Sequence, residues 1–241
     1  MSLNSYFDAV YCINMDSRPE RWQDAQVEAN THGIALERFS ACVGTDQRPN
    51  GKFIAAGMVG CTLSHRTLYR QIADGQHEHV LILEDDFQVI TPEVLRRCGC
   101  NGNPAIMKTY NLLASRDVNE RFDAMIKRVP LDWDVLYLGG GYDERPIARV
   151  DKHVIRCGRM ATTSSYGVAK KFAQDVTAMH PDLSVHPAPA DSFLAGFSLE
   201  NKFYVFQPRL MIQRPGKSDI TLDHFNDYIN SLTDPSHENM V

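Results

Sequence analysis

One stretch constrains this chain more than any other: Val80-Leu-Ile-Leu83, followed directly by Glu84-Asp85-Asp86. An unbroken apolar run of this length suits a strand buried on both faces, as in a parallel or mixed sheet with helices on either side. Three adjacent carboxylates at its end repel one another unless a cation or strong donors compensate. In open α/β sheets, ligands bind at the carboxyl ends of strands. Hard divalent ions such as Mg²⁺ and Mn²⁺ prefer carboxylate oxygens and are often shared with substrate phosphates. Strand alternation puts Glu84 and Asp86 on one side and Asp85 on the other, so Glu84 and Asp86 are expected to face one site. The competing account is a solvated acidic turn.

The rest of the chain fits the same architecture. Asp8 to Asn14 reads as a buried strand. Ser17 as N-cap with Glu20 as a capping-box partner, and Pro19 in the first turn, predict a helix to about His32, stopped by Gly33. A short strand is expected over Leu36 to Ala41, a loop over Thr45 to Lys52, and a helix over Met58 to Ala73 ended by Gly75. After the acid triplet, Thr91 is a candidate cap for a helix from Pro92 to Arg97. Met107 to Lys127 is amphipathic, and Asp134 to Leu138 is a further strand broken by Gly139-Gly140-Gly141. Ser164 to Val168 reads as extended, Lys170 to Met179 as helix, and a short helix begins at Ser192 with Asp191 as cap. Late strands are expected at Phe203 to Phe206 and Leu210 to Ile212. Strands alternating with helices predict an α/β fold: a Rossmann-type mixed, mostly parallel sheet flanked by helices. One domain is expected over 1–230, with a polar tail over 231–241.

At 241 residues the chain can bury one self-sufficient core without disulfides or a structural metal. The six cysteines have neither zinc nor redox spacing. The formal net charge is −5, so there is no global pull toward nucleic acid or anionic lipid, and a phosphate ligand must be held locally or through a metal. No apolar run is long enough to span a bilayer, and the start lacks the features of a signal peptide. The expected location is cytoplasmic, or that of a soluble domain of a longer protein. Hydrolase chemistry of the Ser-His-Asp type lacks a G-x-S-x-G elbow, and the glycine triplet does not form a G-x-G-x-x-G opening to a helix.

Four segments, taken in order, resemble glycosyltransferase family 25, the lipooligosaccharide-type and collagen galactosyltransferases. They are Ile13-Asn14-Met15-Asp16-Ser17-Arg18-Pro19-Glu20-Arg21, Gly57-Met58-Val59-Gly60-Cys61-Thr62-Leu63-Ser64-His65, Leu81-Ile82-Leu83-Glu84-Asp85-Asp86 and Trp133-Asp134-Val135-Leu136-Tyr137-Leu138-Gly139. Weaker echoes follow at Ser165 to Val168 and Ala190 to Phe193. Where the family has Asp-Gly, this chain has Val43-Gly44. The resemblance implies a GT-A fold, a nucleotide-sugar donor (commonly UDP-galactose), a divalent metal and inversion at the anomeric carbon. The acceptor would be a hydroxyl of a glycan or a hydroxylysine-type protein residue. The acid triplet would serve as the D-x-D-like motif, with Asp86 as the metal contact and Glu84 and Asp85 orienting the ribose or the metal's waters.

An inverting transfer needs a general base for the acceptor hydroxyl, and Asp191 is the candidate. Arg18 and Arg21, three apart on one helix, are candidates for the diphosphate. Asn14 is a candidate for uracil or the neighbouring loop. Ser64 and His65, which follow glycines whose spacing suggests close backbone packing, are candidates for binding the donor, with a hydrogen-bonded structural histidine as the competing account of His65. His224 is a candidate late metal ligand, with Asp219 and Asp223 nearby. Gln213, Arg214 and Lys217 are candidates for a basic flap. Two other readings are a catalytically silent nucleotide-sugar-binding module and a metal-dependent phosphohydrolase.

Overall fold

The computed structural model describes residues 1–48, 53–97, 117–142, 146–183 and 188–214. A short helix α1 (Leu3–Tyr6), capped by Ser2, leads into β1 (Ala9–Asn14), whose six residues are all buried. Helix α2 (Pro19–Thr31) and strand β2 (Glu37–Ser40) follow, then α3 (Ala56–Asp74), β3 (His79–Glu84), β4 (Phe87–Val89) and α4 (Pro92–Arg97). After the next described stretch begins come α5 (Val118–Ile126), β5 (Val135–Tyr137), β6 (Gly141–Tyr142), β7 (Ala148–Asp151), β8 (Val154–Arg156), β9 (Met160–Ala161) and β10 (Ser165–Ala169). The last elements are α6 (Lys170–Met179), α7 (Ala190–Ala195), β11 (Phe203–Phe206) and β12 (Met211–Gln213).

Eight strands form one sheet in the order β2-β1-β3-β10-β5-β11-β8-β7. Only β10 and β8 run against the other six, as the pairings show. This is the mixed, mostly parallel sheet that the alternation of elements predicts. The two faces of β3 explain its unbroken apolar run. Leu81 and Leu83 pack with Val10, Cys12, Ala25, Ala29 and Phe122, under α1, α2 and α5. Val80 and Ile82 pack with Leu68, Ile72, Phe172 and Val176, under α3 and α6. All four are fully buried, so a polar side chain at any of them would lack a partner on either side.

Several expectations are refined. The Ser17–Glu20 capping box does not form: Arg18 occupies the N-cap position, Pro19 is the first helical residue, and Glu20 accepts a bond from Arg18 Nε at 2.7 Å. Gly33 follows the helix end with φ +64°, where a residue without Cβ is favoured. Thr91 caps α4 through its hydroxyl, which accepts from Val94 N–H at 3.2 Å. Asp191 lies in the first turn of α7 rather than at its cap, which is Pro189. The hairpin β7–β8, the short pair β6–β9 and strand β4 were not legible, and β12 was expected one residue earlier, at Leu210 to Ile212, without its pairing to β4. They are two to four residues long, and the exposed edge strand β7 has no buried face to impose a period. The C-terminal tail, Cys98, Cys100 and residues 107–116 of the amphipathic stretch lie outside the described residues.

Candidate active site

The parallel pairing of β1 with β3 brings Cys12 beside Leu83 and Ile13 beside Glu84, so the two strands end together. The site grows from that shared end. Asn14, one residue on from Ile13, is 1% exposed. Its Nδ2 donates to Asp85 Oδ2 at 2.7 Å and to the Arg18 carbonyl at 3.1 Å. Its Oδ1 accepts from Arg38 Nε at 3.0 Å and Nη2 at 2.8 Å. Both ends of the amide are therefore engaged by the protein. Asn14 fixes Asp85 and the turn into α2, the second of the two roles expected of it.

The acid triplet does not continue the strand alternation. β3 ends at Glu84 and the chain turns, so Asp85 and Asp86 converge on one guanidinium while Glu84 points the other way. Arg21 Nη2 lies 2.6 Å from Asp85 Oδ1 and 2.8 Å from Asp86 Oδ2. The expectation that Glu84 and Asp86 pair against Asp85 is thus corrected, because alternation holds only while the backbone stays extended. Asp86 Oδ2 also accepts from Gln213 Nε2 at 3.0 Å, and the Asp86 carbonyl accepts from Arg214 N–H. Asp86 Oδ1 is buried and has no hydrogen-bond partner among the described residues. Gln213 and Arg214 are therefore docked on Asp86 by the β4–β12 pairing, and Arg214 Nη1 pairs with Asp24 at 2.9 Å. They do not form the expected flap, and Lys217 lies outside the described residues.

Glu84 turns toward α3 and the segment before β10. Its Oε1 accepts from Thr163 Oγ1 at 2.6 Å and lies 3.3 Å from His65 Nε2. His65 Nδ1 is 2.7 Å from the Tyr166 hydroxyl, which is 2.7 Å from the Tyr69 hydroxyl. This buried chain of polar groups links the cleft to the core beneath α3. Thr163 and Tyr166 reach Glu84 and His65 because β10 runs antiparallel to β3, with Ser165 opposite Leu83. Sequence spacing carried no signal for the Thr163 contact.

These surroundings set the charges. Burial raises the Asp86 carboxyl to about 6, helped by the neighbouring Glu84 charge and opposed by Arg21. Burial also raises Asp85, against the Asn14 hydrogen bond and the Arg21 charge. For Glu84 burial again acts upward, but His65 and Thr163 outweigh it and the net shift is downward. Burial and the charges of Glu84, Asp191 and Asp86 push the Cys61 thiol well above its usual range, so it rests as a neutral thiol.

The second wall is the start of α3, and the loop 41–44 is pressed against it. Ser64 Oγ donates to the Gly60 carbonyl at 2.7 Å and accepts from Cys42 N–H at 2.9 Å. A Cβ on Gly60 would come within 2.6 Å of the Cys42 carbonyl, and one on Gly44 within 2.2 Å of the Ala56 carbonyl. The close packing expected from the glycine spacing is present, and Ser64 is the pin that holds it. Between these walls lies a cleft enclosing about 840 Å³ out to open solvent. Arg18, Arg21, Glu84, Asp85, Asp86 and Gln213 give it a charged side, and Ile13, Met15, Val43 and Ala56 an apolar one.

Asp191 does not line this cleft. Its Oδ2 accepts from Thr162 N–H at 3.3 Å and its Oδ1 from Ser192 N–H at 2.6 Å. It is close enough for its charge to act on Cys61, which does line the cleft. Thr162 has φ 65°, an unusual backbone conformation for a β-branched residue. His224, Asp219 and Asp223 lie outside the described residues. No described helix is long and apolar enough to cross a membrane.

Among solved structures, the chain is similar to a glycosyltransferase involved in the glycosylation of the major capsid of PBCV-1, at 11% identity and TM-score 0.46, over 87% of this chain and 94% of that one. It is also similar to the galactosyltransferase LgtC in complex with donor and acceptor sugar analogs, at 11% identity and TM-score 0.41, over 93% and 95% of the two chains. Both likenesses are remote. The sequence match is of another kind: residues 7–194 fit the model of Glycosyltransferase family 25 (LPS biosynthesis protein). That span runs from the residues before β1 through α3, the acid triplet and Asp191, and so contains most of the site; the chain belongs to glycosyltransferase family 25.

Proposed function

We propose that this glycosyltransferase is a metal-dependent, inverting enzyme. It moves a hexose from a UDP-sugar, UDP-galactose first among them, to a hydroxyl of a glycan or a hydroxylysine-type protein acceptor. One observation carries the reading. Asp86 Oδ1 is buried and has no partner among the described residues, in a cleft at the shared end of β1 and β3 that Arg18 and Arg21 also line. An orphaned carboxylate oxygen next to two further acids is a hard donor set, and it fits a divalent ion that also meets a diphosphate.

In this proposal Asp86 would hold the ion, with His224 and Glu84 as further protein ligands, Glu84 swinging back from His65 and Thr163 to reach it. When bound, the ion supplies Lewis-acid stabilisation of the departing diphosphate. The remaining work falls to the chain. Arg21, held between Asp85 and Asp86, and Arg18 beside it offer guanidinium groups to the diphosphate oxygens as charge builds on them. Asn14 keeps Asp85 in place and so fixes the position of Arg21. The apolar wall of Ile13, Met15 and Val43 excludes water from one side of the donor. Asp191 takes the proton from the acceptor hydroxyl as its oxygen attacks the anomeric carbon and the bond to the diphosphate breaks.

Donor turnover with a panel of UDP- and GDP-sugars, with and without Mn²⁺, tests this. Metal-dependent release of UDP that Asp86→Ala abolishes supports the assignment, and undiminished release in that variant rejects it. Asp191→Asn is expected to retain donor binding and lose transfer. The position of Asp191 outside the cleft lining favours one second reading, a nucleotide-sugar-binding module without transfer. Tight nucleotide binding without turnover on any acceptor would select it.

A further inference from the structure

We propose that Cys61, His65 and Glu84 form an alternative metal site in the cleft, selective for a softer divalent ion such as Zn²⁺, which shares Glu84 with the hard-ion position at Asp86 so that the two are not filled together. A sulfur, a ring nitrogen and a carboxylate oxygen from these residues all lie within 4.8 Å of one another. Thiolate, imidazole and carboxylate together are a zinc-type donor set, the Cys61 thiol releasing its proton to solvent as the ion binds, whereas the ions expected at Asp86 avoid sulfur.

The geometry supports a site rather than a chance cluster. Cys61 and His65 are four residues apart on α3, which puts both side chains on one helix face. Glu84 reaches them from the end of β3, so two rigid elements supply the ligands. Closing the three atoms onto one ion requires each to shift by less than its side chain can swing, since ligands on a tetrahedral ion stand roughly 3–4 Å apart. The Cys61 thiol makes no hydrogen bond to a described residue, so no existing contact opposes that movement.

His65 has the outer support that a ligating histidine requires. With Nε2 on an ion, Nδ1 carries the proton and donates to the Tyr166 oxygen, 2.7 Å away. Tyr166 then turns its own hydroxyl hydrogen to Tyr69, also at 2.7 Å. Without an ion, the two hydroxyls can reverse, Nδ1 accepts, and Nε2–H faces Glu84 at 3.3 Å. The Tyr69–Tyr166 pair thus serves either tautomer, and a cation takes the place of the proton between His65 and Glu84. Thr163 Oγ1 steadies the same Glu84 oxygen at 2.6 Å. An ion seated here commits Glu84 to α3 and withdraws it from Asp86. The site does not depend on the transfer reaction or on the sugar transferred.

The test is titration of the full chain with Co²⁺ under reducing conditions. The expected result is a sulfur-to-cobalt charge-transfer band in the near ultraviolet that saturates at one ion per chain and disappears when Zn²⁺ is added. Cys61→Ser and Cys61→Ala should both lose the band while the circular-dichroism spectrum is unchanged. Asp86→Asn should keep it. Tyr166→Phe removes the outer hydrogen bond and should weaken Co²⁺ binding about tenfold. Absence of the band in the unmodified chain overturns the proposal. So does a band of equal strength in the folded Cys61 variants, which would place the thiolate at another cysteine.

Discussion

A single nitrogen of Arg21 bridges two carboxylates: Nη2 stands 2.6 Å from Asp85 Oδ1 and 2.8 Å from Asp86 Oδ2. The arginine enters from the first turn of α2 and the acids from the end of β3, so this contact ties two elements together at the cleft. It also makes the acid triplet tolerable without a ligand. Three carboxylates share Arg21, the Asn14 amide, the Gln213 amide, the Thr163 hydroxyl and His65.

Removing Arg21 leaves Asp85 and Asp86 close together with no cation between them. Arg21→Met is expected to destabilise the protein by about 3 kcal/mol, the range for breaking a largely buried pair. Urea denaturation at neutral pH in the presence of EDTA measures it. Arg21→Lys should recover only part of the loss, because an ammonium lacks the planar fork. A full recovery would show that charge alone matters here.

The Asp86 carboxyl should weaken the metal-free protein. Its folded value of about 6 lies above its ordinary value of 3.8, so the folded state holds the proton more tightly. Protonated Asp86 therefore favours folding, and this advantage disappears as pH rises through about 6. Asp86→Asn removes the cost and is expected to be more stable than the unmodified protein at pH 8 in EDTA, by at most about 3 kcal/mol. The gap should shrink toward pH 4. Parallel stability curves for the two proteins across this range would contradict the assignment.

Glu28 should behave in the opposite sense. It accepts from Val89 N–H at 2.8 Å and lies 3.5 Å from His32 Nε2, joining α2 to β4. Burial pushes its carboxyl up, but His32 and the Val89 N–H outweigh burial, and the net shift is downward. A lowered folded value means stability that is present above the ordinary value of 4.5 and lost as pH falls through the folded one. Glu28→Gln should cost about 1 kcal/mol at pH 7 and nothing at strongly acid pH. Thermal melts at both pH values check this.

Gly60 tests the cleft wall. A methyl group there meets the Cys42 carbonyl at 2.6 Å and Gly44 N at 2.9 Å, both backbone atoms. Gly60→Ala is expected to cost about 2 kcal/mol and to displace the loop 41–44. Because Val43 and Gly44 line the cleft, nucleotide affinity should fall in the same variant. Titration calorimetry with UDP alongside a melt separates the two effects, and unchanged affinity would remove the loop from the donor site.

Several features of the site were legible in the chain itself. The glycines before Ser64 announced close backbone packing on α3, since only a missing side chain permits such an approach, but that the loop 41–44 is what packs there came from the structure. Arg21 could be placed at a strand's carboxyl end, where ligands bind, but its position between Asp85 and Asp86 came from the structure. The second role suggested for Asn14, holding the neighbouring loop, also followed from its position. Thr163, Gln213 and Tyr166 could not be assigned to the carboxylates and His65. They lie 79, 127 and 101 residues from the groups they touch, and only strand pairing brings them there.

The sequence by itself determined the alternation of the longer strands and helices, the double burial of Val80 to Leu83, and the presence of three acids at a strand's carboxyl end. Those follow from local periodicity and composition, which act over a few residues. Only the tertiary structure decided which way each acid faces. Glu84 turns to His65 and Thr163, while Asp85 and Asp86 turn to Arg21. Beyond the last paired residue the backbone no longer dictates side-chain direction, and the choice passes to whichever donors the neighbouring elements present.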